Sequence, residues 1–241
     1  GQYASHRTGQ FKAANNTIAI GRYTGYYNQG SHNVFMGYYA GHGSSANAQS
    51  PGYENTGIGS SALQSFISGS QNTAVGRWAL LSNTNGSNST ALGQQAGAYT
   101  TGSYNTFLGS EAGKGGLTSA PYSSGQNNTA VGKDALYTAT TGNGRNVAVG
   151  VNSGRLITSG YQNTMLGAYS GDSITTGYMN VAVGTDSLAA VTTGYENVAI
   201  GHDSLKVNTA NQNTTVGAYA GTATTTGAFN VFVGSNAGRA N

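Results

Sequence analysis

Asp186 and Asp203 stand seventeen residues apart, each within G-x-D-S-L, and His202 precedes the second. Carboxylates held roughly 5–9 Å apart are the equipment of glycoside hydrolysis, and stacked aspartates are also one way to hold a cation. The same residues read well as turn formers whose side chains cap backbone amides. A second chemistry lies in Trp78 beside Arg77, and in Tyr39, Tyr169 and Tyr219. Aromatic faces stack on the apolar side of a pyranose, and planar polar groups bond its hydroxyls. Tyr161, Tyr178 and Tyr195 recur at the same seventeen-residue interval, with Tyr53 in the matching place. Stacked tyrosines on neighbouring strands stabilise a sheet by themselves, so a structural role competes with a ligand role there. His6, His32, His42 and His202 lack metal-ligand spacing, and G-x-G fragments carry little weight among 39 glycines. No cofactor or metal is expected.

The interval itself says what positions these residues. Aligned on the glycine that ends N-[T/V]-x-h-G, where h is an aliphatic residue, the chain shows thirteen units. Their anchors are Gly21, Gly37, Gly59, Gly76, Gly93, Gly109, Gly132, Gly150, Gly167, Gly184, Gly201, Gly217 and Gly234. Ten of the twelve steps are 16 to 18 residues, and two are 22 and 23. Such self-similarity is the signature of a repeat architecture. The residue one before each anchor is always aliphatic, and the residue three before is always Thr, Val or Ile. The high glycine content, these β-branched columns and their period of two exclude a helical repeat. The expected fold is all-β: a parallel β-solenoid (β-roll) of about thirteen coils of roughly 17 residues, stacked at about 4.8 Å.

The columns carry further expectations. Residues one and three before the anchor share a strand face, which we expect to line the inside. The residue two before the anchor, from Ala19 and Phe35 to Met165 and Phe232, is then expected to point outward as an apolar stripe. A stripe of that length is an interface by default, and closed symmetry around an axis suits it, with three chains the natural count for a fibre. Asn stands four before the anchor in eleven units and is expected to form a bonded ladder. Gly stands seven before it in ten units, where a turn of positive φ is expected. Residues 1–241 read as one repeat domain, with a lead-in over 1–14. The two long steps place insertions near 41–52 and 113–125, each with one of the two prolines, Pro51 and Pro121. Loops on a rigid scaffold are good binding elements.

Composition narrows the function. Only 7% of residues are charged, with a net charge of +3 and no cysteine. No basic cluster suited to nucleic acid occurs. No apolar run long enough to insert in a membrane is present. Threonine arrays on solenoids can bind ice, but the threonine pairs here (Thr175–Thr176, Thr192–Thr193, Thr225–Thr226) are adjacent and point to opposite faces of a strand.

Units such as G-Y-E-N-V-A-I-G-H-D-S-L (194–205), G-Q-N-N-T-A-V-G-K-D-A-L (125–136) and G-Y-Q-N-T-M-L-G-A-Y-S-G (160–171) carry a resemblance. They resemble the repeats of bacteriophage tail fibre and receptor-binding proteins. They are also similar to the N-x-V-A-I-G-x-x-A repeats in the heads of trimeric autotransporter adhesins, whose period is shorter. The resemblance implies homotrimers exposed outside the cell or on the virion tail, attached to cell-surface glycans or proteins. The expectation is a non-enzymatic phage tail fibre tip that recognises a host surface glycan. A bacterial adhesin head and a tailspike-like glycan hydrolase are the alternatives. The candidate glycan-binding residues are Trp78, Arg77, Tyr39, Tyr169, Tyr219, Tyr161, Tyr178, Tyr195, Asp186 and Asp203.

Overall fold

The computed structural model describes residues 16–44, 50–115, 123–138, 144–207, 209–222 and 226–239. The chain divides into two compact units, Gly1–Gln126 and Asn127–Asn241, and the same coil builds both. Among the described residues there are thirteen strands of three residues and no helix. The first unit holds β1 (Ile18–Ile20), β2 (Val34–Met36), β3 (Thr56–Ile58), β4 (Thr73–Val75), β5 (Thr90–Leu92) and β6 (Thr106–Leu108). The second holds β7 (Thr129–Val131), β8 (Val147–Val149), β9 (Thr164–Leu166), β10 (Val181–Val183), β11 (Val198–Ile200), β12 (Thr214–Val216) and β13 (Val231–Val233). Within each unit consecutive strands pair in parallel and in register, as in Thr56↔Thr73 and Val181↔Val198. The parallel β-solenoid expected from the columns is the fold.

Each strand runs straight into its anchor glycine, whose N–H continues the ladder: Gly184 N–H donates to Leu166 O at 2.8 Å. The anchors take φ from +124° to +142°, and a Cβ on Gly37 would stand 2.6 Å from Gly59 O in the next coil. Only glycine fits that turn. The leg that follows is bonded coil to coil as well, for example Leu188 N–H to Ser204 O at 3.1 Å. The residue two after the anchor is left-handed in all thirteen coils, with φ between 55° and 64°.

The facing of the strand is the reverse of the expected one. The residue two before the anchor is the core: Phe35, Ala74, Ala91, Ala130, Ala148, Met165, Ala182 and Ala199 are fully buried. The columns one and three before it are exposed or half-buried in every strand, with Ile20 53%, Leu92 47% and Leu166 46% exposed. The cause is coil thickness. The strand and the opposing leg close over a gap that Ala opposite Leu fills, or Phe or Met opposite Gly. There is no room there for a β-branched residue in every coil.

The asparagine ladder forms as expected. Asn180 Nδ2 donates to Asn163 Oδ1 at 3.0 Å and to Gly194 O at 2.8 Å, while its own Oδ1 accepts from Asn197 N–H at 3.0 Å. The glycine seven before the anchor exists for this packing and not for a positive φ. Gly69, Gly177 and Gly194 lie outside the left-handed region, but a Cβ on any of them would press on the carbonyl of the coil beyond. That carbonyl is the one the asparagine caps. The insertions branch from a common point, since their ends return through the isolated bridges Asn28↔Ser50 and Thr100↔Ser123.

Candidate functional site

Function has two places to reside: the aliphatic outer face of the strands, and the variable side chains on the leg after each anchor. The strand face is uniform. Its two columns contain only Thr, Val, Ile, Leu and Met, so it presents methyl groups and threonine hydroxyls and no charge. It can bury against another uncharged surface, with the hydroxyls free to bond across it.

On the leg, the structure separates the candidates. Arg77 lies over the Trp78 indole, with its guanidinium carbon 4.1 Å from the ring centre. The pair is a cation–π contact, which occupies a ring face a sugar would need. The column neighbours of Trp78 are Ser61 and Gln95, and Gln95 Oε1 is buried without a hydrogen-bond partner. Tyr169 is 44% exposed in a column between Asn152 and Asp186. Tyr219 has His202 edge-on at 5.2 Å and the Arg239 guanidinium carbon 5.0 Å from its ring centre. Tyr161, Tyr178 and Tyr195 do form one stack, with centroids 5.0 and 4.9 Å apart and planes within 4°. Both faces of Tyr178 are spent on its neighbours, so the middle of the ladder presents an edge and a hydroxyl, while Tyr161 and Tyr195 each turn only one face to the stack. Burial first, then the two flanking phenols, pushes the Tyr178 hydroxyl above its ordinary pKa.

Asp186 and Asp203 come together with His202: one ligand atom from each lies within 4.8 Å of the others. Lys206 reaches both carboxylates of this group. Its ammonium is 2.8 Å from Asp203 and 3.8 Å from Asp186. The hydrogen bond to Asp203 raises the Lys206 pKa, so the cation is fixed at neutral pH. His202 Nδ1 is 3.5 Å from Asp203. The ammonium thus ties Asp186 of one coil to Asp203 of the next, a bridge between turns.

Among the described residues, the densest group of aromatic rings has Tyr39 as its one expected ring; His42 falls in the 41–52 insertion, and Tyr23, Tyr26, Tyr27 and Tyr38 are not among the candidates. Around Tyr39 are Tyr23 at 4.9 Å, Tyr38 at 4.6 Å and His42 at 4.8 Å. Tyr26 lies parallel to His42 at 5.5 Å, with Tyr27 edge-on to the imidazole at 5.1 Å. A signal for this exists in the sequence: Y-T-G-Y-Y (23–27) and Y-A-G-H (39–42) begin at the same place in adjacent units. Beside the cluster, His42, Gly43, Ser44, Gln64 and Ser65 line a pocket of about 220 Å³. His42, Gly43 and Ser44 open the first insertion, whose residues 45–49 lie outside the described residues, as do Pro121 and residues 116–122 of the second. The lead-in over 1–14 lies outside them too.

Compared with models of known protein families, with curated proteins and with solved structures, the chain matches none.

Proposed function

We propose that this chain is the receptor-binding part of a bacteriophage tail fibre. In this reading it is a non-enzymatic homotrimer on the virion tail that attaches to a glycan of the host cell surface. The observation that carries it is the outer strand face: every coil exposes two columns of aliphatic or threonine side chains with no charge among them. A solenoid that worked as a single chain would place charged and amide side chains there rather than rows of exposed aliphatic ones. Three copies facing one axis would bury these columns and leave the variable legs outside, available to a receptor. The interface therefore belongs to the columns one and three before the anchor.

The ligand class rests on the legs. They carry tyrosine, tryptophan, asparagine, glutamine and aspartate at a backbone position that glycine would occupy with the least strain, yet glycine never stands there. Side chains kept against backbone preference, rich in rings and amides, suit sugars. The Lys206 bridge supports binding without hydrolysis. The test incubates the purified protein with surface polysaccharides of candidate host bacteria, reading both retention on the polymer and polymer length. Retention with unchanged length is expected. Shortened polymer would establish the tailspike-like reading instead.

An adhesin head is favoured as the second reading by the strand phrase N-V-A-I-G (197–201), whose Asn caps the coil while Ala faces in and Val and Ile face out. Binding to animal tissue glycans, with none to bacterial polysaccharide, would select it.

A further inference from the structure

We infer that the pocket bounded by His42, Gln64 and Ser65, which shares His42 with the neighbouring tyrosine cluster, is a binding subsite for one neutral pyranose unit. This rests on the glycan reading above and says where on the surface that glycan is held. Nothing in the coil demands rings here. In the column five after the anchor, the positions equivalent to Tyr26 and His42 hold Gln64, Leu81, Ala98, Lys114 and Arg155 in other coils. The solenoid accepts almost any side chain at that place, so the aromatic concentration in two successive coils is a local feature.

The chemistry is that of a sugar site. The His42 ring faces are held by Tyr26, Tyr27 and Tyr39, so the imidazole enters the pocket as a fixed polar edge, while Tyr38 in the adjoining cluster stays half exposed, an aromatic surface of the kind a pyranose packs on. Ser44, Gln64 and Ser65 bring two hydroxyls and an amide to the same cavity. The Gly43 carbonyl, 2.9 Å from His42 Nδ1, can only accept. Nδ1 therefore carries the hydrogen of the neutral ring, and Nε2 is left as an acceptor. No lining residue is charged, which selects neutral hydroxyls over a uronate or phosphate. The volume of about 220 Å³ falls below the roughly 300–1,000 Å³ of sites for drug-sized ligands and suits one sugar unit of a longer chain.

The experiment uses the full chain on an array of immobilised oligosaccharides that covers neutral hexoses, N-acetylhexosamines, deoxyhexoses and uronic acids. Its variants are Gln64→Ala, His42→Ala and, as the control on an exposed residue of the second unit, Val151→Ala, each checked for an unchanged melting curve. The expected result is binding to neutral members, weakened at least tenfold by Gln64→Ala and by His42→Ala and less than twofold by Val151→Ala. Gln64→Ala is the safeguard on folding, because it removes only a polar, half-buried amide. Unchanged binding in both Gln64→Ala and His42→Ala would overturn the subsite and leave glycan recognition standing elsewhere on the legs. Binding by no member of the array, with the protein still attached to whole bacteria, would overturn the subsite and the glycan reading together.

Discussion

Phe35 and Gly41 are fitted to each other: a Cβ on Gly41 would fall inside the Phe35 ring. The relation is general in this chain. Wherever Phe35, Phe107, Met165 or Phe232 fills the core column, the residue four after the anchor is Gly in that coil and in the coil before. Wherever Ala or Gly fills the core column with no such neighbour ahead, Leu stands there instead, as in Leu63, Leu80, Leu136, Leu188 and Leu205. Core volume is conserved coil by coil by exchanging material between the two legs. Gly41 has φ 54°, and the leucines at that position have φ 48° to 52°, so the backbone accepts either residue.

This pairing predicts a double-mutant result. Phe35→Ala opens a cavity and should cost about 3–5 kcal/mol. Gly41→Leu alone drives a side chain into the Phe35 ring and should cost about 1–3 kcal/mol or more. The double variant reproduces the Ala74–Leu80 arrangement and should recover at least half the loss of Phe35→Ala. Denaturant unfolding of the four proteins measures the coupling, and additive losses would contradict the pairing.

The asparagine ladder predicts asymmetric costs. Asn180→Ala strips partners from Asn197 N–H and Gly194 O in the next coil, and should destabilise by about 3 kcal/mol through unsatisfied buried groups. Asn180→Asp should be worse near neutral pH, because a carboxylate cannot donate to Asn163 Oδ1 or Gly194 O. Thermal unfolding at pH 7 ranks the two, and the opposite order would contradict a donor role for Nδ2.

His42 makes stability depend on pH. Burial lowers its pKa below the ordinary 6.5, outweighing the bond to Gly43 that raises it. The unfolded chain therefore binds a proton before the folded one does, and stability falls as pH drops from about 6.5 through the lowered folded value. The rings that face it, Tyr26, Tyr27 and Tyr39, carry no charge in that window. The melting temperature should decline between pH 7 and pH 5, and His42→Gln should remove His42's share of that decline. An identical pH profile for His42→Gln would contradict the assignment.

Lys206 holds the place of a cation between Asp186 and Asp203. Added calcium should leave the melting temperature of the native protein unchanged. Lys206→Met leaves two adjacent carboxylates and His202 unbridged, which should lower stability without calcium and make it rise with calcium. A calcium-dependent rise in the native protein would contradict the bridge.

Periodicity made the coil legible: anchors, strands and the asparagine ladder all follow from column identity. Facing was not legible from alternation, because both faces of these three-residue strands are apolar. Ala182 and Val183 are equally acceptable inside by hydropathy, and the deciding quantity is the thickness of the coil. That information was present as the exchange between Phe35 and Gly41, which compares two columns seventeen-residue alignment keeps apart. The glycines seven before the anchor were legible as necessary, but their reason, contact with the neighbouring carbonyl, requires the stack. Among the candidates, the tyrosine triplet and the aspartate pair were brought together because they share columns. The cluster around Tyr39 mixes four columns across two coils, so no single column displays it.

The most direct test of the account is the mass in solution of the native protein beside Leu166→Glu and Ile200→Glu, by sedimentation and light scattering. These residues lie on the outer strand face, 46% and 39% exposed in the single chain, so each variant should fold. The account predicts the mass of three chains for the native protein and of one chain for both variants. A native protein that stays a single chain at micromolar concentration, or three-chain variants indifferent to a buried glutamate, would contradict it.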